Sequence, residues 1–187
     1  MKPRPLDPIP RAILFDLDDT LCDYSSARDL RLRIALSRNG AGEPVAWAED
    51  VLREMIEVSI SMHPHGTDHF EEVLARYGVS DPAVARSAVR WYRDNRFYGL
   101  ELFPGAIETL RAVRTVDARN DTRRPIGIIT NGPTEVQRAK LDLLDLHQFV
   151  DVILISEDFG AAKPDPSIFR EALYQMGVSP GEAVFVG

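Results

Sequence analysis

Apolar residues in this chain follow two rhythms. "RAILFD" (Arg11–Asp16) is a short continuous apolar run closed by an acid, the pattern of a buried strand. From Ser25 to Phe97 the spacing changes to three and four. Ala27, Leu30 and Ile34 share one helical face, with Gly40 as a stop. Ala48, Val51, Leu52, Met55, Ile56 and Ser59 form a second face. Two more helices are predicted over residues 68–77, ended by Gly78, and 82–97. No strand pattern interrupts this region, which reads as a small helical unit.

Strands and helices then alternate. "FPGAIETLRAVR" predicts a helix with Pro104 in its first turn, and "PIGIIT" a strand. "PTEVQRAKLDLLDL" predicts a helix and "VDVILIS" a strand. "DPSIFREALYQMG" predicts a helix with Asp165 as N-cap, Pro166 at its first position and Gly177 as stop. "EAVFVG" is a last strand, expected beside the first. Such alternation makes an α/β fold, a parallel sheet with helices on both faces. The core is expected from 1–22 and 99–187, with an all-helical insert over 23–98. Its joints fall near Cys22–Ser25 and Tyr98–Leu102. The polar stretch "TVDARNDTRR" reads as a mobile surface loop.

Composition narrows the function classes. The chain has 187 residues, enough for one domain with an insert, and a net charge of -7. That balance disfavours nucleic acid as a partner, because phosphate backbones select basic surfaces. It leaves room for a small phosphorylated ligand. No apolar run is long enough to span a membrane, and the proline-rich start has no apolar signal core. Cys22 is the single cysteine, so no intrachain disulfide forms and a cytoplasmic setting is expected.

Ligands of an open parallel sheet bind outside the carboxyl ends of its strands. The first strand delivers Asp16, Asp18, Asp19 and Thr20 there; a later one delivers Thr130, Asn131 and Gly132; Lys163 follows the next. This set suits phosphoryl transfer. One carboxylate can attack phosphorus, and another two residues on can act as general acid and then base. At about 4 Å, two such anions repel by roughly 4 kcal/mol at an effective dielectric near 20. Lys163 or a hard divalent ion, Mg²⁺ above all, would offset that repulsion. Thr130 and the backbone N–H groups near Asn131 and Gly132 could hold phosphate oxygens.

"FDLDDTL", "IITNGP", "AAKPDP" and "AVFVG" resemble, in order, the four motifs of the haloacid dehalogenase-like (HAD) hydrolase superfamily. The resemblance spans nearly the whole chain. It implies a Rossmann-like core, a helical cap inserted after the first motif, and Mg²⁺-dependent phosphatase activity. By position, Asp16 resembles the nucleophile and a metal ligand. Asp18 resembles the general acid/base, with its backbone carbonyl also on the metal. Thr130 and Lys163 resemble the phosphate-binding pair. The family's fourth motif continues with an acid that completes the metal site, whereas this sequence ends at Gly187. It therefore reads as truncated, and weak or absent activity is expected of it as printed.

The expected activity is hydrolysis of a small phosphomonoester, a metabolite or nucleotide, through an aspartyl-phosphate. A phosphomutase, or a non-catalytic binding or regulatory protein of the same fold, stands beside it. A dehalogenase needs no second carboxylate, so Asp18 argues against it. Asp19 is read as structural, lending its backbone N–H to phosphate. His63, His65 and His69 read as a solvated cap loop, with substrate contact as the alternative; Cys22 reads as a small packed residue.

Overall fold

A computed structural model of the protein describes residues 9–62, 66–117 and 122–187. The chain divides into two compact units. One comprises the residues up to Asp23 together with Glu101–Gly187, the other Tyr24–Leu100. In chain order, β1 (Ala12–Phe15) is followed by four helices: α1 (Tyr24–Leu36), α2 (Glu49–Met62), α3 (Phe70–Arg76) and α4 (Pro82–Asp94). Then come α5 (Ala106–Arg114), β2 (Thr115–Asp117), β3 (Thr122–Arg123) and β4 (Ile126–Thr130). The chain continues through α6 (Thr134–Leu143), β5 (Val152–Ile155), α7 (Ser156–Phe159), α8 (Pro166–Met176) and β6 (Ala183–Val186).

The sheet of the first unit has the order β5-β4-β1-β6, every pair parallel, with helices on both faces. β1 is buried at all four positions and carries a strand on each side, so the loop after it opens at the middle of the sheet edge. β6 does lie beside β1, with Phe15 level with Val186. Helix α8 keeps the punctuation read from its sequence. The Asp165 side chain accepts from Ser167 N (2.8 Å), Pro166 opens the helix, and Gly177 closes it at φ +67°. Its Ile168, Ala172 and Leu173 pack with Leu14, Ile129 and Val152. Gly127 on β4 permits that approach. A Cβ there would stand 2.6 Å from Met176 Cε and 2.8 Å from Leu14 Cδ2.

Two local expectations are corrected. Pro104 lies in a turn before α5, which begins at Ala106; the left-handed Gly105 (φ +86°) separates the two. The stretch expected as a loop contains a short antiparallel ribbon, β2 with β3; residues 118–121 are outside the described residues.

The second unit has its own core. Leu36, Met55, Phe70, Leu74 and Ala88 are fully enclosed, and the Phe70 and Tyr92 rings meet edge to face at 5.5 Å. Each large apolar side chain buried in this way contributes about 1.5–3 kcal/mol. His63 and His65 are outside the described residues. His69 is not in a solvated loop: it is buried just before α3, with its Nε2 2.6 Å from the Oγ of fully buried Ser59. A half-polar ring can pack there because a polar partner on α2 meets it. No helix among the described residues is long and apolar enough to cross a membrane.

Candidate active site

β1 ends in a carboxylate. The Asp16 N–H donates to Val186 O on the neighbouring strand (2.8 Å), which fixes where the chain leaves the sheet. Asp16 Oδ1 accepts from the Leu17 N–H (2.7 Å) and lies 2.5 Å from Lys163 Nζ. Oδ2 accepts no hydrogen bond among the described residues. The Lys163 side chain is only 12% exposed, and its ammonium lies 5.3 Å from the Phe185 ring centre.

The loop then turns tightly. The N–H groups of Leu21 and Cys22 both return to Leu17 O. Asp19 takes φ +58°, a left-handed conformation that Asp tolerates better than most residues. Its N–H donates to Cys22 O (2.8 Å), so it is already engaged within the loop rather than presented to a ligand. Cys22 is fully buried. Burial, and then the Asp18 carboxylate beside it, push its thiol up to about 12, which makes it a packing residue.

Asp18 points to helix α6. Lys140 Nζ lies 2.8 Å from both of its carboxylate oxygens, and Gln137 Nε2 donates to Oδ2 (3.0 Å). Gln137 and Lys140 are three residues apart and so share one helix face; both are almost wholly buried. Gln137 also donates to the Asn131 carbonyl (3.1 Å) and to Thr130 Oγ1. Neither residue was singled out from the sequence. The available signal was a lysine on one helical face with Val136 and Leu144, where a solvated cation has no reason to be.

Thr130 closes β4 and is buried. Its hydroxyl accepts from Gln137 and keeps a proton to donate. The Asn131 side chain clamps two loops together, donating to Lys163 O (3.0 Å) and accepting from Lys163 N (2.8 Å). Asn131 thereby holds the Lys163 backbone in place. The Gly132 N–H, expected to be open to a phosphate, donates to Ser156 Oγ (3.0 Å). The structure thus brings Asp16 to Lys163, Asp18 to Thr130 through Gln137, and Asn131 to Lys163, all at the carboxyl edge of the sheet.

Among the described residues no three His, Cys, Asp or Glu side chains gather as a metal cage. The donors that remain are the Asp16 carboxylate and the Asp18 carbonyl, which accepts no backbone hydrogen bond among the described residues. Both are hard oxygens. They fit Mg²⁺, which completes its octahedral shell with water and substrate phosphate when a protein offers only one or two ligands.

Residues 10–187 match the family described as hydrolase, haloacid dehalogenase-like hydrolase. The chain is 36% identical over 180 residues to the glyceraldehyde 3-phosphate phosphatase of Methanopyrus kandleri, an alignment covering 95% of this chain and 75% of that one. It is 28% identical over 191 residues to the phosphoglycolate phosphatase of Escherichia coli O157:H7, covering 95% and 73%. Among solved structures it resembles the HAD-hydrolase YfnB of Bacillus subtilis, a structure bound to magnesium. That match has a TM-score of 0.68 and 20% identity, and covers 95% of this chain and 77% of that one.

Proposed function

This chain belongs to the haloacid dehalogenase-like hydrolases and is a phosphatase, and we propose that it hydrolyses a small phosphomonoester through a phosphorylated Asp16. The observation that carries the reading is the Asp16 carboxylate at the centre of the sheet edge, one oxygen held 2.5 Å from Lys163 Nζ and the other without a partner among the described residues. Oδ2 attacks phosphorus, and the bond from phosphorus to the ester oxygen breaks. Asp18 gives its proton to that departing oxygen, releasing an alcohol. Asp18, now a carboxylate, takes a proton from water, whose oxygen attacks phosphorus. Asp16 leaves as a carboxylate, and inorganic phosphate is the second product. Lys163 and the Thr130 hydroxyl hold phosphoryl oxygens and offset their charge.

Asp16 and the Asp18 carbonyl are the groups that would hold Mg²⁺, which when bound neutralises charge on the phosphoryl group. Asp18 is engaged by Lys140 and Gln137 in this structure, so serving an ester oxygen requires it to exchange those partners. The helical unit, Tyr24–Leu100, is read as the cap that selects the substrate. Glyceraldehyde 3-phosphate, named for the M. kandleri relative, is the first compound to try. A cytoplasmic setting belongs to the same reading, on the strength of a single cysteine that is buried as a thiol.

The test is phosphate release by the full-length protein from a panel of sugar phosphates, phosphoacids and nucleotides with Mg²⁺, together with borohydride trapping of the acyl phosphate. Trapping should convert Asp16 to homoserine, and Asp16→Asn should abolish both trapping and turnover. Turnover that survives Asp16→Asn would overturn the assignment of the nucleophile.

A further inference from the structure

Within the helical unit, the loop after α1 faces one side of α4. Arg38 from the loop and Arg86 and Arg90 from α4 line one cavity of about 310 Å³, together with Ser87, Trp91 and Asp94. Positions 86, 87, 90, 91 and 94 recur at three and four, so α4 presents them as a single stripe. Arg38 is held in place. Its Nη1 donates to Gly42 O (2.5 Å), and its guanidinium lies 5.1 Å from the Trp91 ring centre.

The loop is equally fixed. Asn39 Oδ1 accepts from Ala41 N (3.0 Å) and Glu43 N (2.9 Å), and Gly42 has φ +85°. Gly40 passes so close to α4 that a Cβ there would stand 3.0 Å from Ala83 Cβ. This region of backbone is built to hold Arg38 against the helix.

Three guanidiniums line the cavity against one carboxylate, in a chain whose net charge is -7. Among the described residues none of the three arginines forms an ion pair. Arg33, Arg76 and Arg93 of the same unit all do: Arg33 with Asp29 and Glu49, Arg76 with Glu72, Arg93 with Asp68. Like charges held around one cavity repel each other. A bound anion removes that cost.

We propose that this cavity binds a small tetrahedral oxyanion, either inorganic phosphate or the phosphoryl end of a small phosphomonoester. A planar carboxylate fills one guanidinium fork. A tetrahedral dianion offers oxygens to several forks and to the Ser87 hydroxyl at once. The volume lies at the lower end of ligand cavities, which run from about 300 to 1,000 Å³, so the ligand is a free ion or a compact ester rather than a dinucleotide. The acidic chain as a whole repels nucleic acid. The site is made entirely of residues of the helical unit and shares none with Asp16, Asp18 or Lys163.

Trp91 reports on it. The chain has two tryptophans, Trp47 and Trp91, so Trp47→Phe leaves Trp91 as the sole emitter. Inorganic phosphate titrated at constant ionic strength should change Trp91 emission saturably, because charge above its ring changes. The Trp91 indole N–H resonance of the unaltered protein gives the same readout if Trp47→Phe fails to fold. Arg86→Ala with Arg90→Ala, shown to be folded by circular dichroism, should weaken binding about tenfold or more.

Glycerol 3-phosphate is the second arm. Tighter binding than phosphate identifies an ester site; weaker binding identifies a site for the free ion. Absence of a saturable response to either, or one unchanged by the arginine substitutions, overturns the proposal. So does an equal response to succinate or to a polyglutamate peptide.

Discussion

Lys140 Nζ sits 2.8 Å from both carboxylate oxygens of Asp18, with the lysine side chain only 4% exposed. The lysine therefore fixes where the second aspartate of the loop rests. Lys140→Met is expected to lower kcat about tenfold to a hundredfold, because misplacing a proton donor by an ångström costs that much. KM should change little. Lys140→Arg, which keeps the cation, should recover part of the rate. Unchanged kcat in Lys140→Met would confine the pair to a structural role.

Asp18→Asn should separate the two half-reactions. An amide can neither donate the needed proton readily nor accept one from water, so phosphorylated chain should build up with an activated aryl phosphate. Intact-mass measurement after rapid quenching reads this directly. Hydrolysis that proceeds without accumulation would assign the base role elsewhere.

Gly127→Ala tests the closeness of α8 to the sheet. The added methyl meets Leu14 and Met176 at under 3 Å, and overpacking of this kind costs about 1–3 kcal/mol. Denaturant unfolding should show a lower midpoint with an unchanged slope.

Ser59→Ala removes the hydroxyl that meets His69 within the helical unit. The loss should be about 1–2 kcal/mol, seen in the unfolding of that unit. Phosphatase turnover below the melting range should stay close to that of the parent.

Glu182 offers a pH test. Hydrogen bonds from the Ser179 hydroxyl and N–H, and then from Arg11, hold its carboxyl down to about 2 against an ordinary value of 4.5. A depressed carboxyl stabilises the fold above the ordinary value and loses that contribution as pH falls through the folded one. The difference in unfolding free energy between the parent and Glu182→Gln should therefore be constant above pH 4.5 and shrink from there toward pH 2. A difference independent of pH would show that the charge contributes nothing.

The sheet and its crossovers could be read in advance because each buried strand is a short apolar run. The helix ends, such as Asp165, Pro166 and Gly177, carry their own chemistry in the residue type. Asp16, Thr130 and Lys163 could be placed at one edge because every parallel strand points the same way. Gln137 and Lys140 were missed for a different reason. Helical spacing reports which face is buried, but not that a polar residue on that face will find a carboxylate 122 positions earlier in the chain. The clamp made by the Asn131 side chain was not foreseen, because an amide in a sequence carries no sign of the loop it will bind. The β2–β3 ribbon has too few residues and too little apolar alternation to announce itself.

The placement of β1 between β4 and β6 has a consequence for how the protein emerges during synthesis. Both of its neighbours are made more than a hundred residues after it, as Ile13 opposite Ile126 and Val184 records. The helical unit, by contrast, is one contiguous segment, Tyr24–Leu100, and its core cluster is drawn from that stretch. It can close while β1 and the loop of aspartates still lack partners. The nascent chain thus carries β1 as an open apolar strand while the helical body closes, and β1 gains its partners only when β4 and β6 have been made. Slow codons or chaperone binding just after Leu100 would act on that interval, when the aspartates have been made but Lys140 and Lys163 have not.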